Sequence, residues 1–548
     1  MTTAIYYTSV RAAPGREGQI FGLQIAISDW MKAYFRYSKT DKFNFLIGHE
    51  IELADIKEIA TQTGLDEKRL IVLDRRYPEE NYSTFDNVFR PEPGTRNMLW
   101  LRQSAPGFSF CGLAHAISGM EAGEVLEEYC LSPSEPTDAI ICPSLAVQSA
   151  VRTFWASYGD YLDMRFGAKY TCPVQLPVIP LGIDIEKFER RVTPDKRAAQ
   201  RSALGIDEDE VVVLWIGRLS AAIKAHPLAM FQAAERAAEN TDRKVRLLMV
   251  GYFVPDEAEG QFKNLASDVC KKATVTFVDA HDARFPEGLW AAGDIFLSLI
   301  DNIQESFGLT PIEAMAAGLP RVVSDWDGYR DSVTDGEDGF LIRTSQPPVG
   351  AGFDLTTQVA SGREIYGGFL AKTALTVAVD AEQAGDRLTQ LIRDPNLRAF
   401  MAERARARVK AHYDWRQIIP AYEALWSELA TKRKATLPSM QKWKGAIPQL
   451  PDPYTMYETY PSRRLNETDK ISLALPVDKI TLLLKHDINT FAHDLLISSD
   501  EISMLVGALG KMGAASIAAI FGHFPTTDRP RLWRTIAWLQ KLGIIKNF

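Results

Sequence analysis

Short, continuous apolar runs recur through the middle of the chain, and polar or helical stretches separate them. The runs cover residues Val211–Ile216, 244–253, 273–280 and 294–299, and a charge-rich segment with helical spacing covers residues 257–271. Continuous apolar runs of this length are typical of strands buried on both faces of a parallel sheet. The alternation therefore predicts βαβ units, with helices on both faces of an open α/β sheet.

The first part of the chain repeats this pattern with weaker markers. Residues 4–10 are a plausible first strand, and the loop after them holds Gly15, Gly18 and Gly22, whose spacing is not that of a dinucleotide-binding fingerprint. A further apolar run at residues 108–114 precedes His115. We therefore predict an α/β domain here as well.

The changes of pattern along the chain predict five regions. They are an N-terminal α/β domain at 1–180, a C-terminal α/β domain at 181–410, a helix at 411–433, a linker at 434–460 and a small, mostly helical domain at 461–548. The linker is rich in Pro, Tyr and Met, whereas residues 498–509 and 529–542 have the apolar spacing of helices. Pro and Gly at residues 178–184 mark a hinge candidate between the two α/β domains.

Composition limits the class of protein. The chain has 548 residues, enough for about three domains, with a formal net charge of -8 and 46% hydrophobic residues, which is typical of a globular protein. Its apolar runs fall short of the roughly 20 residues that cross a bilayer, and no secretion signal is apparent. Five cysteines without a Cys-x-x-Cys pair argue against a disulfide framework or a zinc site. These features predict a cytoplasmic location.

The most informative chemistry lies at residues 298–342, where Glu305 and Glu313 frame a turn. Phe307-Gly308-Leu309 is predicted to form a tight turn whose amides bind an anion at the positive end of the next helix. Carboxylates accept hydrogen bonds from hydroxyls, so two acids beside an anion site indicate a ligand that carries sugars.

A structural explanation of Glu313 stays open. Thr310 is a plausible N-cap, Pro311 suits the first helical position, and Glu313 follows Thr310 by three residues, which completes a capping box. From these residues alone the cap is the better explanation. Glu305 precedes the turn and has no comparable structural explanation.

Two cations follow a predicted strand. Gly217 and Arg218 come directly after Val211–Ile216, and Lys224 lies in the same loop. Ligands of open α/β sheets bind at the carboxyl ends of the strands, where two cations would suit a diphosphate. Taken in isolation, a solvated surface pair would be the better explanation of Arg218 and Lys224.

Together these motifs resemble the paired-glutamate signature of retaining glycosyltransferases of the GT-B fold, most closely glycosyltransferase family 4. The resemblance includes Gly-Leu-Pro at residues 318–320 and Asp-Gly-Phe-Leu-Ile at residues 338–342. It implies two Rossmann-like domains that face a central cleft, with residues 178–184 and the helix at 411–433 crossing between them. The region at 461–548 would be an extra domain, and its last helix and turn are similar to those of winged-helix domains.

The resemblance also implies site roles. Glu305 would contact hydroxyls of the transferred sugar and Glu313 would hold the ribose of the nucleotide. The amides of Phe307, Gly308 and Leu309 would face the donor sugar and its diphosphate.

The same resemblance places Gly217 at the donor and has Arg218 and Lys224 grip the diphosphate. The interval between these two cations is about one residue longer than in the commonest form of the family. We expect Arg218, Lys224 and Glu305 to be catalytic.

Two residues of the first domain are added by the resemblance. Relatives carry a histidine in the loop of His115 that contacts the donor sugar, so the resemblance makes His115 a further catalytic candidate, with a satisfied structural histidine as the alternative. The Gly-rich loop of the family lies near the donor phosphates, which makes Gly18 a candidate donor-binding residue, with an ordinary turn as the alternative.

Asp325-Trp326-Asp327 has the form of a metal-binding Asp-x-Asp motif. It falls within an expected segment of the family, and GT-B enzymes generally need no divalent metal. We therefore expect no metal and no cofactor, with a nucleotide-diphosphate sugar as substrate.

The expected activity is transfer of a sugar to an unidentified acceptor with retention at the anomeric carbon. A nucleotide-sugar-binding or scaffolding protein that works through its C-terminal module is one alternative, and a nucleotide-sugar epimerase is another. The base, the sugar and the acceptor stay open, although the lack of a basic amphipathic anchor argues against a lipid acceptor.

The cations near the C-terminus could indicate nucleic acid. They are Arg529, Arg531, Arg534, Lys541 and Lys546. Acidic residues are dense upstream, and Trp533 and Trp538 are expected to pack inside. We therefore favour a protein-interaction or acceptor-recruiting module, including self-association, over nucleic acid.

Overall fold

Two six-stranded parallel sheets dominate the computed structural model of the chain. The structure describes residues 2–9, 22–102, 107–255, 257–435, 447–524 and 528–547. Its contacts divide the chain into two units, Met1–Pro448 and Gln449–Phe548, and both parallel sheets belong to the first. Gly18 lies outside the described residues, and its predicted role stays a prediction.

The N-terminal sheet has the strand order β3-β2-β1-β4-β5-β6, and all its neighbouring strands are parallel. Its strands are β1 (Thr3–Tyr6), β2 (Phe43–Ile47), β3 (Leu70–Asp74), β4 (Asn87–Arg90), β5 (Ser109–Leu113) and β6 (Ala139–Ile141). The helices of this domain are α1 (Gly22–Tyr37), α2 (Glu50–Thr63), α3 (Pro78–Asn81), α4 (Met98–Leu101), α5 (Met120–Leu131) and α6 (Leu145–Phe166). This strand order is that of a Rossmann-like domain.

The C-terminal sheet repeats the same order as β12-β11-β10-β7-β8-β9, again entirely parallel. Its strands are β7 (Val211–Ile216), β8 (Val245–Gly251), β9 (Thr274–Asp279), β10 (Ile295–Ser298), β11 (Arg321–Ser324) and β12 (Gly339–Ile342). A short antiparallel pair, β13 (Thr344–Ser345) and β14 (Ala378–Val379), follows it. The predicted GT-B architecture of two Rossmann-like domains is therefore confirmed.

The helices of the second half of this unit surround the C-terminal sheet or lead away from it. They are α7 (Ile185–Arg191), α8 (Pro194–Ala203), α9 (Leu228–Glu239), α10 (Ala258–Val269), α11 (Leu309–Ala317), α12 (Tyr329–Ser332), α13 (Phe353–Ala360), α14 (Tyr366–Ala374), α15 (Ala381–Arg393), α16 (Pro395–His412) and α17 (Trp415–Ala435).

Burial explains why the apolar runs become strands. Every residue of β7 except Ile216 is buried, and β10 is buried throughout. A strand covered by helices on both faces has no solvent side, so it needs no polar alternation. The edge strands β3 and β9 differ, because their burial is incomplete, and the sequence of β9 alternates with threonine.

Two segments connect the Rossmann-like domains, and they lie side by side. Ile183 and Asp414 form a parallel bridge, in which the Ile183 amide donates to the Tyr413 carbonyl at 2.8 Å. Gly182 is required here, since a Cβ at this position would lie 2.6 Å from the Trp415 ring.

Helix α17 then packs on α1 and on strands β4 and β5 of the first domain. Its anchor is an aromatic cluster in which Trp426 lies within 7 Å, ring centre to ring centre, of Trp30, Phe89 and Tyr422. Trp426 is 1% exposed. The helix thereby ties the end of this unit to the core of its first domain.

The second unit is small and mostly helical, as predicted. Its elements are α18 (Pro453–Met456), β15 (Lys470–Leu473), α19 (Val477–Leu483), α20 (Asp487–Thr490), α21 (Ser499–Met512), β16 (Ala515–Ser516), α22 (Ile517–Gly522), α23 (Arg529–Lys541) and β17 (Ile545–Asn547). The three strands form an antiparallel sheet in the order β16-β15-β17.

Two of the basic side chains of α23 make contacts within this unit. The Arg529 guanidinium lies 4.4 Å from the centre of the Phe521 ring, and the Arg534 Nε donates to the Leu495 carbonyl at 2.9 Å. Trp533 and Trp538 are partly buried against the core of this unit. The preference for a protein-interaction module over nucleic acid stays a prediction.

No helix among the described residues combines the length and the apolar character that crossing a membrane requires.

Replacing Trp426 by alanine should destabilise the first unit by about 3 to 5 kcal/mol, because a large buried ring is exchanged for a cavity. The midpoint of urea unfolding, followed by circular dichroism, measures this loss. Phe400→Ala is the matched control: Phe400 lies on α16 with 52% exposure, and its loss should change stability by less than about 0.5 kcal/mol. Equal losses for both variants would contradict the anchoring role of Trp426.

Candidate active site

The predicted site residues gather where β7 and β10 end. These strands are neighbours at the point where the strand order of the sheet reverses direction, and their carboxyl ends open a crevice there. The loop after β7 carries Gly217, Arg218 and Lys224, and the loop after β10 carries Glu305.

A salt bridge joins the two loops. The Lys224 Nζ donates to Glu305 Oε2, and the two side chains are only 15% and 18% exposed. Burial by itself would lower the pKa of Lys224, but the charge of Glu305, with Tyr329, outweighs burial and raises that pKa. Lys224 therefore stays cationic at neutral pH.

Arg218 lies beside this pair. Its side chain is partly exposed, and its positive charge acts on Lys224. Within the described residues its guanidinium has no carboxylate partner in an ion pair. An unpaired cation next to a paired one leaves net positive charge at this edge of the sheet, which suits an anionic ligand.

Close backbone packing fixes the start of the loop after β7. A Cβ on Gly251 would lie 1.9 Å from the carbonyl oxygen of Gly217, and a Cβ on Gly217 would lie 3.3 Å from Lys224 Cε. The Gly217 amide also donates to the Val250 carbonyl at 3.0 Å. Glycine at both positions allows Lys224 to lie over the strand end.

Two buried residues that the sequence did not single out hold the loops together. The Asp301 carboxylate accepts the amide of His226 at 3.2 Å, and the Asn302 side-chain amide donates to the Ala222 carbonyl at 2.8 Å. The Asn302 carbonyl accepts the Trp326 indole N–H at 3.2 Å. Their position just after a buried strand was the one signal in the sequence that could have found them.

The turn before α11 depends on Gly308. Its φ of +81° lies in the left-handed region, and a Cβ here would lie 2.1 Å from the Tyr329 ring. Gly328 packs from the other side, where a Cβ would lie 2.5 Å from Phe307 Cα. The Phe307 side chain is buried at 2% exposure, so only its backbone can face a ligand.

The predicted capping box is wrong. Helix α11 begins at Leu309 with Gly308 as its N-cap, and no side chain of the described residues caps it. Thr310 and Pro311 are therefore the second and third helical residues, because packing of Gly308 against Tyr329 starts the helix earlier. The first amides of a helix have no acceptor within it, so those of Leu309 and Thr310 are available to an anion.

Glu313 is consequently the fifth residue of α11 rather than the third, so it does not form a capping box with the N-cap residue Gly308. Its side chain is partly buried, and burial raises its pKa to about 7, with Arg191 as the main opposing influence. The structural explanation of Glu313 is thereby removed, while its predicted contact with a ribose stays a prediction.

His115 is held by its own domain. Its Nε2–H donates to the Pro91 carbonyl at 2.9 Å, and burial lowers its pKa, so the ring is neutral near pH 7. The contacts of the described residues do not join His115 to Glu305 or Lys224, and its catalytic role stays a prediction.

A cavity of about 520 Å³ adjoins Glu305 between the two Rossmann-like domains. Its lining from the C-terminal domain is Ile303, Glu305, Ser306, Asp325, Trp326, Asp327, Arg330, Thr344, Ser345 and Gln346, and from the N-terminal domain Ile117, Ala146, Val147 and Ala150. Hydrogen bonds join the domains at its edge: the Ser144 hydroxyl donates to the Ser306 carbonyl at 2.7 Å, and the Leu145 amide donates to Asp331 Oδ2 at 2.6 Å.

Asp325 and Asp327 both line this cavity but differ in their contacts. Asp325 Oδ1 is 2.8 Å from Arg330 Nε, whereas burial, followed by the charge of Glu305, raises the pKa of Asp327 to about 8. Within the described residues no group of three or more His, Cys, Asp or Glu side chains is arranged to hold a metal ion.

Three acids whose pKa values are raised by burial make stability depend on pH. Burial raises the pKa of Asp301 to about 7, of Glu313 to about 7 and of Asp327 to about 8. A raised carboxyl pKa means that the folded chain binds more protons than the unfolded one, so their contribution to stability is complete below about pH 4 and is lost as pH rises through 7 to 8.

We therefore expect the thermal unfolding midpoint to fall between pH 5.5 and pH 8.5, and Asp301→Asn to reduce the fall, because the amide cannot ionise. Differential scanning fluorimetry at the two pH values measures this. Asp354→Asn, at an exposed position on α13, is the control and should leave the fall unchanged. An equal fall in the Asp301 variant and the wild type would contradict the assignment.

The C-terminal Rossmann-like domain is similar to known proteins. Residues 196–348 match the model of the family "Glycosyl transferases group 1". Two D-inositol 3-phosphate glycosyltransferases are each 31% identical to this chain, one from Geodermatophilus obscurus over 179 residues and one from Rhodococcus jostii over 272 residues. These matches cover 32% and 46% of this chain, but only 38% and 56% of the relatives' own lengths.

Among solved structures, Anabaena HepE in complex with UDP is 17% identical, with a TM-score of 0.49, and the match covers 78% of this chain and all of that one. The fold assignment does not depend on this likeness, because it follows from the two strand orders. Residues 196–348, within the second of the two Rossmann-like domains, are thus similar to the glycosyl transferases group 1 family.

Proposed function

We propose that the chain is a retaining glycosyltransferase that moves a sugar from a nucleotide-diphosphate sugar to an acceptor. The observation that carries the proposal is the buried Lys224–Glu305 pair at the ends of β7 and β10, beside Arg218, which has no ion-pair partner among the described residues. This arrangement offers cations to a diphosphate and a fixed carboxylate to a sugar in one crevice. The matching family model and the names of the relatives support the same class of activity.

In this proposal the diphosphate lies between Arg218, Lys224 and the first amides of α11. Charge-assisted hydrogen bonds from these groups are stronger than neutral ones. The helix start adds partial positive charge. Glu313, on the same helix, would hold the ribose, and Gly217 would let the phosphates approach the end of β7.

The chemical step builds negative charge on the leaving diphosphate while the sugar becomes oxocarbenium-like. Lys224 stays protonated, because Glu305 raises its pKa, and can stabilise the leaving group throughout. Glu305 is bound to Lys224, so we assign it to holding sugar hydroxyls rather than to nucleophilic attack. The acceptor would then attack from the face that the diphosphate leaves, which retains the configuration.

The proposed reaction uses neither a metal ion nor a cofactor. Arg218, Lys224 and the α11 amides would neutralise the diphosphate, so we propose no metal and no cofactor. His115 would contact the sugar, and the acceptor stays unidentified. A cytoplasmic location likewise stays a prediction.

Calorimetric titration with UDP, GDP and ADP tests the donor site. One nucleotide should bind the wild type with micromolar affinity, and Arg218→Ala should weaken binding at least 10-fold because a charge-assisted contact is lost. Lys263→Ala removes an exposed cation on α10 and should leave the affinity unchanged. Failure of all three nucleotides to bind would contradict the proposal and favour the scaffolding alternative.

Product analysis tests the reaction. Incubation with the sugar form of the bound nucleotide should release the nucleotide diphosphate and a free sugar by slow hydrolysis, with the anomeric configuration of the donor in the first-formed product. Proton NMR reads that configuration from the anomeric coupling, in the presence and absence of EDTA. An inverted product, loss of activity with EDTA, or a changed sugar still attached to the nucleotide would each contradict a part of the proposal.

A further inference from the structure

We infer that Asp327 binds a hydroxyl of the transferred sugar beside Glu305, and that the cavity lined by these two acids restricts the donor to sugars without a negative charge. The inference rests on the proposed function and names the class of substrate for the same site.

Asp327 occupies an unusual backbone conformation. It follows β11, and its φ of +50° lies in the left-handed region that glycine adopts without strain. Residues that carry a Cβ disfavour this left-handed region, so the surrounding structure holds Asp327 in it. Strain of this kind persists where the surrounding structure fixes it, and it is frequent at functional sites.

Among the acidic residues that line the cavity, Asp327 is the one without an ion-pair partner in the described part of the chain. Glu305 is paired with Lys224, and Asp325 is paired with Arg330. Within the described residues, Asp327 Oδ2 is buried and has no hydrogen-bond partner. Buried polar atoms are nearly always hydrogen-bonded in native proteins, so this oxygen calls for a partner that enters the cavity.

The protonation state of Asp327 suits a hydroxyl. Burial and the charges of Glu305 and Asp331 raise its pKa to about 8, against the Gly328 amide and Lys224, which lower it. Asp325 and Arg330 also line the cavity. Near pH 7 the carboxyl group is therefore mostly neutral, and it can donate one hydrogen bond and accept others.

The rest of the cavity argues for an uncharged sugar. Its N-terminal face is apolar, and Thr344, Ser345 and Gln346 supply neutral polar groups. A sugar carboxylate or phosphate here would face the negative charge of Glu305, and the cation of the lining, Arg330, is already paired with Asp325. A neutral hexose would instead find partners for its hydroxyls on both acids.

The test compares Asp327→Gly and Asp327→Asn with the wild type. Glycine removes the carboxyl group and accepts φ of +50°, so this variant should keep its fold, while asparagine keeps the shape but cannot ionise. Asp354→Asn on the surface of α13 is the control. Calorimetry measures the affinity for the nucleotide diphosphate alone and for its hexose and hexuronic acid forms, which for uridine are UDP, UDP-glucose and UDP-glucuronic acid.

We expect all variants to bind the nucleotide diphosphate equally, and Asp327→Gly to bind the hexose form at least 10-fold more weakly than the wild type. The wild type should bind the hexose form more tightly than the hexuronic acid form. In Asp327→Gly the difference between these two affinities should be smaller. Between pH 7 and pH 9 the wild type should lose affinity for the hexose form as Asp327 ionises, and Asp327→Asn should not.

Unchanged hexose affinity in Asp327→Gly would overturn the inference while leaving the proposed function intact. Loss of nucleotide binding in that variant would also overturn it, because Asp327 would then support the loop rather than the sugar. If the wild type binds no nucleotide at all, the proposed function and this inference both fall.

Discussion

The Lys224–Glu305 salt bridge connects the two loops on which the site depends. Each partner leaves a different strand, and those strands are neighbours where the order of the sheet reverses. Little water reaches the pair, so each charge needs the other, and removal of one partner would leave a buried charge uncompensated. Asp301 and Asn302 hold the same loops by hydrogen bonds to backbone, which keeps the pair aligned. The turn at Gly308 then starts α11 at a fixed distance from it.

Much of the fold could be predicted because burial leaves a direct record in the sequence. Val211–Ile216 is apolar without alternation since helices cover both of its faces, and the observed β7 has the same bounds. The two cations and Glu305 could be placed at one edge for a similar reason, since parallel strands end together. What the pattern could not supply was the pairing of Lys224 with Glu305, which depends on how the two loops fold back.

The start of α11 shows the limit of local rules. Thr310, Pro311 and Glu313 form a good capping box by spacing, yet the helix begins at Leu309, because Gly308 packs against a buried tyrosine that is distant in sequence. For a comparable reason, the sequence alone did not reveal a role for Asp327. Its neighbours along the chain match an expected segment, whereas its lack of a partner depends on Glu305, on Lys224 and on the cavity between the domains.

The paired crossings at Ile183 and Asp414 have a mechanical meaning. Both covalent connections between the Rossmann-like domains run along one line and share a backbone hydrogen bond. A sliding displacement of one domain over the other would break that bond, but a rotation about the line would preserve it. Such a rotation would separate the Ser144 hydroxyl from the Ser306 carbonyl, whereas the aromatic cluster around Trp426, which packs within the first domain, would stay intact.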